Sequence, residues 1–236
     1  LPKSMLDGTI SVLYKKKARD DPRNYRPITL LNCDYKILMR ILTARLNEAA
    51  VQFVSAPQNG FVPDSFISEN LMLLKLLQSY AEEENLEAMY VFADMEKAFD
   101  RASWDFLRAA LKDLGMEDFL CYFDLAYSST TPPTRRTYVN GYLSDPFPIQ
   151  SGVAQGCPAS PLLFLLVTEV ITRLIMRDKE YKGIVVDGTA HKISQFADDS
   201  TFILRLGDEA RLHAHLRTWE GATGMLENTT KREGML

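Results

Sequence analysis

Three aspartates at the ends of apolar stretches are the residues of this chain best suited to chemistry. Asp198 and Asp199 interrupt an apolar stretch, residues 195–204, and this pattern predicts a β-hairpin with both aspartates in its tight turn. Asp94 ends another apolar run, residues 89–93. Carboxylates held ~4–5 Å apart at an effective dielectric near 20 repel by on the order of 3–4 kcal/mol per pair. Protons, basic side chains or divalent cations must therefore neutralise this group.

The pair Asp198-Asp199 also allows a simpler interpretation, an inert and solvated hairpin turn. The segment around Asp94 favours the chemical one. A strand-length apolar run leads into Asp94, and a helical pattern begins near Ser103 a few residues later. We therefore expect Asp94 to form the second half of a carboxylate site.

Three segments that include these aspartates follow one another in a defined order. They are residues 92–100 (FADMEKAFD), residues 151–162 (SGVAQGCPASPL) and residues 196–199 (FADD). Together they resemble the three central motifs of the reverse transcriptases of non-LTR (LINE-like) retrotransposons. The resemblance extends over nearly the whole chain.

The resemblance implies an RNA-directed DNA polymerase that transfers a nucleotide from a dNTP to a primer 3′-hydroxyl on an RNA template. Two Mg²⁺ ions, with Mn²⁺ as a substitute, would be the cofactors, and Asp94, Asp198 and Asp199 their ligands. Side chains alternate between the two faces of a strand, so we expect Asp94 and Asp198 to be the principal ligands and Asp199 a secondary one. The implied partners are the RNA template, the DNA primer and dNTPs, with no membrane.

Further site residues follow from the resemblance, each with an alternative role. Arg26 and a nearby lysine, Lys15, would contact the triphosphate or the template backbone, although a basic stretch of this kind also fits a solvated loop. Phe99 would exclude a ribose 2′-hydroxyl, or simply pack in the core. Lys231 would be a general acid for the leaving pyrophosphate, or an exposed lysine.

The residues Gln155 and Gly156 would line the nucleotide and template side of the site, or form only the loop before a helix that starts at Ser160-Pro161. Gly156 allows close approach of the backbone to a ligand. Where the family usually carries Gly-Arg, this chain has Asp64-Ser65, so an expected basic contact is missing.

Two other functional classes remain open. A catalytically decayed retroelement remnant that only binds nucleic acid would fit Asp64-Ser65. A polymerase that makes RNA would fit the carboxylates, which do not encode the sugar, but Phe99 speaks against it.

The order of elements predicts an α+β fold with the fingers and palm of a right-hand polymerase, the palm being an antiparallel sheet packed on helices. Residues 1–88 would form mainly helical fingers with a basic N-terminal stretch, and residues 89–236 the palm, with fingers elements interleaved where the chain requires it. No thumb is expected within the sequence. Helical spacing also predicts that two apolar helix faces lie in the core. These are Ile37, Leu38, Ile41, Leu42 and Leu46 in one helix, and Ile67, Leu71, Leu74 and Leu77 in the next.

The composition fits an ordinary folded protein. The 236 residues are 46% hydrophobic, enough for a substantial core, and the net charge of −4 argues against a general nucleic-acid coat without excluding a local basic channel. The three cysteines fit neither a zinc spacing nor a disulfide framework. We expect an intracellular fragment of a longer polypeptide that acts in the nucleus after cytoplasmic assembly, an expectation drawn from the family; the oligomeric state stays open.

Overall fold

The protein is represented by a computed structural model, which describes residues 2–128, 130–229 and 232–235. The helices are α1 (Lys3–Leu6), α2 (Cys33–Phe53), α3 (Ile67–Glu83), α4 (Ala98–Arg101), α5 (Trp104–Asp113), α6 (Glu117–Ala126), α7 (Ser160–Arg177) and α8 (Glu209–Thr223). The strands are β1 (Gly8–Tyr14), β2 (Tyr25–Leu31), β3 (Ala88–Ala93), β4 (Thr134–Val139), β5 (Tyr142–Leu143), β6 (Phe147–Pro148), β7 (Ile184–Val186), β8 (Thr189–His191), β9 (Ile193–Phe196), β10 (Asp199–Arg205) and β11 (Glu233–Met235).

The chain folds into two compact units, each built from separate stretches of sequence. Unit 1 comprises Leu1–Ala49 and Ala102–Leu163, and unit 2 comprises Ala50–Arg101 and Phe164–Leu236. The assignment of residues 1–88 to fingers and 89–236 to palm concerns polymerase subdomains and stays a prediction.

Unit 1 contains a sheet with the strand order β2-β1-β4-β5, in which β1 and β4 run parallel and β6 pairs with β4. Asn140-Gly141, a dipeptide typical of two-residue hairpin turns, joins β4 to β5, and both residues have positive φ, as a type I′ turn requires. Helix α5 begins as predicted, because the Ser103 side chain accepts a hydrogen bond from the Phe106 amide.

Unit 2 contains an antiparallel sheet with the strand order β11-β3-β10-β9, together with the separate hairpin β7-β8. Helix α3 packs on this sheet through Leu77, which shares a buried cluster with Tyr90 of β3 and Ile203 of β10. Helix α8 joins α7 through a hydrogen bond of 2.8 Å from the Trp219 indole to the Val167 carbonyl. This unit matches the predicted antiparallel sheet supported by helices.

Two predicted core faces are partly wrong. Among the described side chains of α2, the buried ones are Tyr35, Met39, Leu42, Leu46 and Phe53. Ile37 and Ile41 project from the opposite side of this helix and are exposed. In α3 the buried face is centred on Asn70 and Leu77, so Ile67 and Leu71 fall outside it and are also exposed.

The long apolar run after Ser160 forms helix α7, as predicted, and most of its apolar side chains are buried. Glu169 is buried too, and it accepts hydrogen bonds from the Ser55 amide at 3.0 Å and from the Arg173 guanidinium at 2.7 Å. Within the described ranges, no helix has the length and apolar character needed to span a membrane.

Candidate active site

The register of the unit 2 sheet brings two of the predicted aspartates together. Strands β3 and β10 pair antiparallel, with Ala93 opposite Ser200. Asp94 follows β3 directly, and Asp199 is the first residue of β10. Because the two strands run antiparallel in this register, both aspartates lie at the same end of the paired strands.

The third aspartate lies in the turn between β9 and β10. Phe196 pairs with Asp199, so the two turn residues are Ala197 and Asp198 rather than the predicted Asp198 and Asp199. Ala197 has φ +58°. Asp198 does not share this conformation, and a positive φ at only the first turn position corresponds to a type II′ hairpin. Asp198 is half-buried, whereas Asp199 is exposed.

Buried polar side chains support the hairpin from behind. The Gln195 side chain donates a hydrogen bond to the Ser200 hydroxyl at 2.9 Å and accepts one from Thr172 of α7. The Asn70 amide of α3 donates to the Gln195 carbonyl at 2.9 Å and to the Ser194 hydroxyl at 2.8 Å. These contacts join the acidic hairpin to two helices, and sequence reasoning identified none of them because they link distant segments.

Strand β3 has a second neighbour on the side away from β10. The Asn228 amide donates to the Asp94 carbonyl at 2.8 Å, and Glu227 forms a bridge with Met95. Glu227 is also paired with the Arg232 guanidinium, with an Nε–Oε1 distance of 2.6 Å. Lys231, the predicted general acid, lies outside the described residues.

Phe99 lies on the short helix α4, which follows β3 in unit 2. Its ring stacks on the ring of Phe164 with a centroid distance of 5.0 Å and an interplanar angle of 24°. Phe164 is fully buried, whereas Phe99 is only partly so. The predicted packing role of Phe99 is therefore confirmed, and its role in sugar selection stays a prediction.

The remaining predicted residues lie in unit 1. The Gln155 carbonyl accepts a hydrogen bond of 2.9 Å from the Thr29 amide of β2. Gly156 has φ +120°, and a Cβ atom there would lie 2.6 Å from the Thr29 carbonyl oxygen. Glycine is thus required at 156 by contact with β2 itself. Arg26 on the same strand and Lys15, which directly follows β1, are both exposed.

The loop that carries Gln155 rests on buried phenols. The Ala154 amide donates to the Tyr127 hydroxyl at 3.4 Å, and the Tyr35 hydroxyl lies 3.7 Å from the Cys157 sulfur. Burial raises the pKa of both phenols, so they stay neutral hydrogen-bonding groups near pH 7. These contacts of Tyr35 and Tyr127 hold the loop backbone at residues 154–157.

The donor set at the sheet end fits a hard divalent cation. Carboxylate oxygens are the ligands that Mg²⁺ and Mn²⁺ prefer, and Mg²⁺ keeps several water ligands, so that one or two protein carboxylates suffice. Among the residues that the structure describes, no three His, Cys, Asp or Glu side chains converge as a preformed metal cluster. Asp94, Asp198 and Asp199, at the same end of the sheet, supply the chemical type of ligand needed.

The fold is that of right-hand polymerases. The chain aligns over 98% of its length with the telomerase of Candida tropicalis in complex with a fragment of telomeric RNA, with a TM-score of 0.68 at 12% identity and coverage of 41% of that chain. The telomerase of Candida albicans aligns with a TM-score of 0.61 at 11% identity, over 100% of this chain and 43% of that one. These likenesses confirm the predicted fold class.

The sequence identifies the family within this fold. Residues 14–235 match the reverse transcriptase (RNA-dependent DNA polymerase) family, and the chain belongs to it. It is 29% identical to the transposon TX1 149 kDa protein of Xenopus laevis, over 100% of this chain and 18% of that protein. It is 33% identical to the Pol polyprotein of the R2 retrotransposable element of Popillia japonica, over 76% of this chain and 25% of that protein.

These relatives confirm the resemblance to the reverse transcriptases of non-LTR retrotransposons. The family generally depends on divalent metal and binds a nucleic-acid template. Since the chain spans only 18% and 25% of the length of the two relatives, it corresponds to one part of such proteins.

Proposed function

We propose that the protein is an RNA-directed DNA polymerase of a non-LTR retrotransposon, which extends a DNA primer with dNTPs on an RNA template. The observation that supports the proposal is the pairing of β3 with β10, which brings Asp94, Asp198 and Asp199 to the same end of one sheet in a chain of the reverse transcriptase family. Nuclear action after cytoplasmic assembly is part of the proposal.

Asp94 and Asp198 are the principal ligands in this proposal, and Asp199 is a secondary one. Asp198 lies in the turn, so its side chain is not bound by the strict alternation of a strand. Two Mg²⁺ ions, when bound, would activate the primer 3′-hydroxyl and balance the charge of the triphosphate. The protein's own part is to hold its carboxylates at a fixed spacing before substrate arrives.

Other side chains act on the substrates. Arg26 and Lys15 contact the triphosphate or the template phosphates, for which exposed cations are suited by charge. Gln155 and Gly156 lie along the nucleotide and the template, and Phe99 packs under the deoxyribose, where a 2′-hydroxyl would collide with it. In the same scheme, Lys231 protonates the leaving pyrophosphate.

Primer extension on an RNA template tests the proposal. Asp198→Asn keeps the size of the side chain and removes its charge, so we expect extension with dNTPs and Mg²⁺ to be abolished. Asp187→Asn is the matched control, because Asp187 also occupies a two-residue hairpin turn, between β7 and β8, and is exposed. The control should extend primers like the wild type. Extension by Asp198→Asn at the wild-type rate would refute the site.

Asp64-Ser65 stands where the family usually carries Gly-Arg, and this difference keeps a second function open, the binding of nucleic acid without catalysis. A folded wild-type protein that binds primer and template but never extends the primer would support this function over the first. Extension that uses ribonucleotides as readily as deoxynucleotides would instead point to an RNA-synthesising polymerase.

A further inference from the structure

The turn that carries Asp198 contains a strained residue. Ala197 has φ +58°, a conformation that the first position of a type II′ turn normally reserves for glycine. A residue other than glycine in such a conformation costs of order 1–3 kcal/mol and persists only when its surroundings hold it there. Something in unit 2 must therefore fix Ala197.

A single side chain binds both backbone polar groups of Ala197. The Gln58 Oε1 atom accepts a hydrogen bond of 2.9 Å from the Ala197 amide, and Gln58 Nε2 donates one of 3.2 Å to the Ala197 carbonyl. A primary amide accepts through its oxygen and donates through its nitrogen, so glutamine is suited to the position.

Gln58 is itself held firmly. Its residue is 3% exposed, its Oε1 also accepts from the Gly60 amide at 2.8 Å, and its Nε2 lies 3.4 Å from the Thr168 hydroxyl of α7. The backbone on either side of Gln58 pairs with Gln195 of β9, through the Pro57 carbonyl at 2.8 Å and the Asn59 amide at 3.0 Å. The amide therefore has little freedom to follow a movement of the turn.

We propose that Gln58 is a positioning residue for catalysis, which holds Ala197 in its strained conformation and thereby fixes Asp198 for the divalent cation. Gln58 contacts neither substrate nor cation in this scheme and acts through the turn alone. The proposal rests on the proposed function for the role of Asp198, whereas the restraint of the turn by Gln58 is testable without it.

The test replaces Gln58 by Met, which keeps the length of the side chain and removes both hydrogen bonds. We expect hydrogen–deuterium exchange to accelerate in the peptide that covers residues 193–205, because the Ala197 amide loses its acceptor. We expect the maximal extension rate to fall about 100-fold, as for a misplacement of about 1 Å. The Mg²⁺ concentration for half-maximal rate should rise, while the Kd for primer–template should stay within about twofold, since no substrate contact is lost.

The matched control is Gln78→Met on α3, where the glutamine is exposed and bonds only Glu82 among the described residues. It should leave exchange, rate and Mg²⁺ requirement unchanged. Unchanged exchange in the hairpin of Gln58→Met, or a wild-type Mg²⁺ requirement in that variant, would overturn the proposal, as would an equal loss of primer–template affinity.

A second variant covers the case in which Gln58→Met fails to fold. Gln58→Glu keeps the acceptor for the Ala197 amide and loses the donor to the Ala197 carbonyl. It should therefore show faster exchange and a higher Mg²⁺ requirement, both to a smaller extent than Gln58→Met. Wild-type exchange and a wild-type Mg²⁺ requirement in Gln58→Glu would overturn the proposal. If the wild-type protein itself does not extend primers, the proposed function fails, and the exchange of residues 193–205 alone decides whether Gln58 restrains the turn.

Discussion

Gly60 offers a direct test of how closely the acidic turn is packed. A Cβ atom at this position would lie 1.9 Å from the Ala197 nitrogen and 2.6 Å from the Ala197 Cα, both of them backbone atoms. Ordinary contacts begin at 3.4 Å, so the two segments would have to separate by about 1.5 Å, the difference between 3.4 and 1.9 Å. The φ of Gly60 is not in the left-handed region, and the predicted effect of Gly60→Ala therefore arises from space alone.

The expected result is a large loss of activity with a moderate loss of stability. Added atoms in a packed region cost typically about 1–3 kcal/mol of unfolding free energy. A catalytic group displaced by about 1 Å can cost about 100-fold in rate. Since the displaced residue precedes Asp198, we expect Gly60→Ala to lower the single-turnover extension rate by about 100-fold or more, while urea unfolding still shows a cooperative transition.

Gly221 supplies the matched control. It lies in α8, and an added Cβ would meet nothing within 4 Å. Gly221→Ala should extend primers at the wild-type rate and be more stable by roughly 0.5–1 kcal/mol, because alanine favours a helix interior. A folded Gly60→Ala protein with a rate within about threefold of wild type would show that the turn tolerates this displacement, and the packing argument would be refuted.

Two further predictions concern sugar selection and pH. Phe99→Val should admit ribonucleotides, because the smaller side chain leaves room for a 2′-hydroxyl; competition between dNTPs and rNTPs measures this, and unchanged discrimination would contradict the assignment. Burial opposes ionisation of Asp178, but hydrogen bonds from His215, the Glu180 amide and Arg211 hold the pKa of its carboxyl below the ordinary value. Asp178 therefore contributes stability above about pH 4 that is lost as the pH falls through its folded-state pKa. In urea unfolding, the free energy of unfolding should fall less below about pH 4 in Asp178→Asn than in wild type. An equal fall in both proteins would disprove this role of Asp178.

Local patterns in the sequence were sufficient to predict the elements that carry the site. The run that ends at Asp94 forms β3, Ser103 caps α5, and Asn140-Gly141 forms the hairpin turn, since each depends on residues only a few positions apart. The three motifs identified the family and, through the family, the fold.

Contacts between distant segments were beyond such patterns. Gln58 and Ala197 are separated by 139 positions, and nothing in the composition around either residue indicates that they meet. The same limit explains the shift of the turn by one residue. Asp and Asn are the usual residues with positive φ in hairpin turns, so Ala197 gave no sign of its conformation. The choice of the buried helix face is limited in the same way, because Ile37 and Ile67 fit the helical spacing of a core face and yet are exposed.

The one-residue shift changes the chemistry available at the turn. With Asp198 and Asp199 as the two turn residues, neither carboxylate would be tied to a strand. In the structure Asp199 begins β10 and pairs with Phe196 of β9, so only Asp198 depends on the turn for its position. The strain at Ala197 and the amide of Gln58 therefore act on the one carboxylate whose placement the sheet does not determine. The position of Asp198 therefore depends on two residues remote in sequence from the acidic motif. These are the buried Gln58, which bonds Ala197, and Gly60, whose lack of a side chain leaves room for the turn.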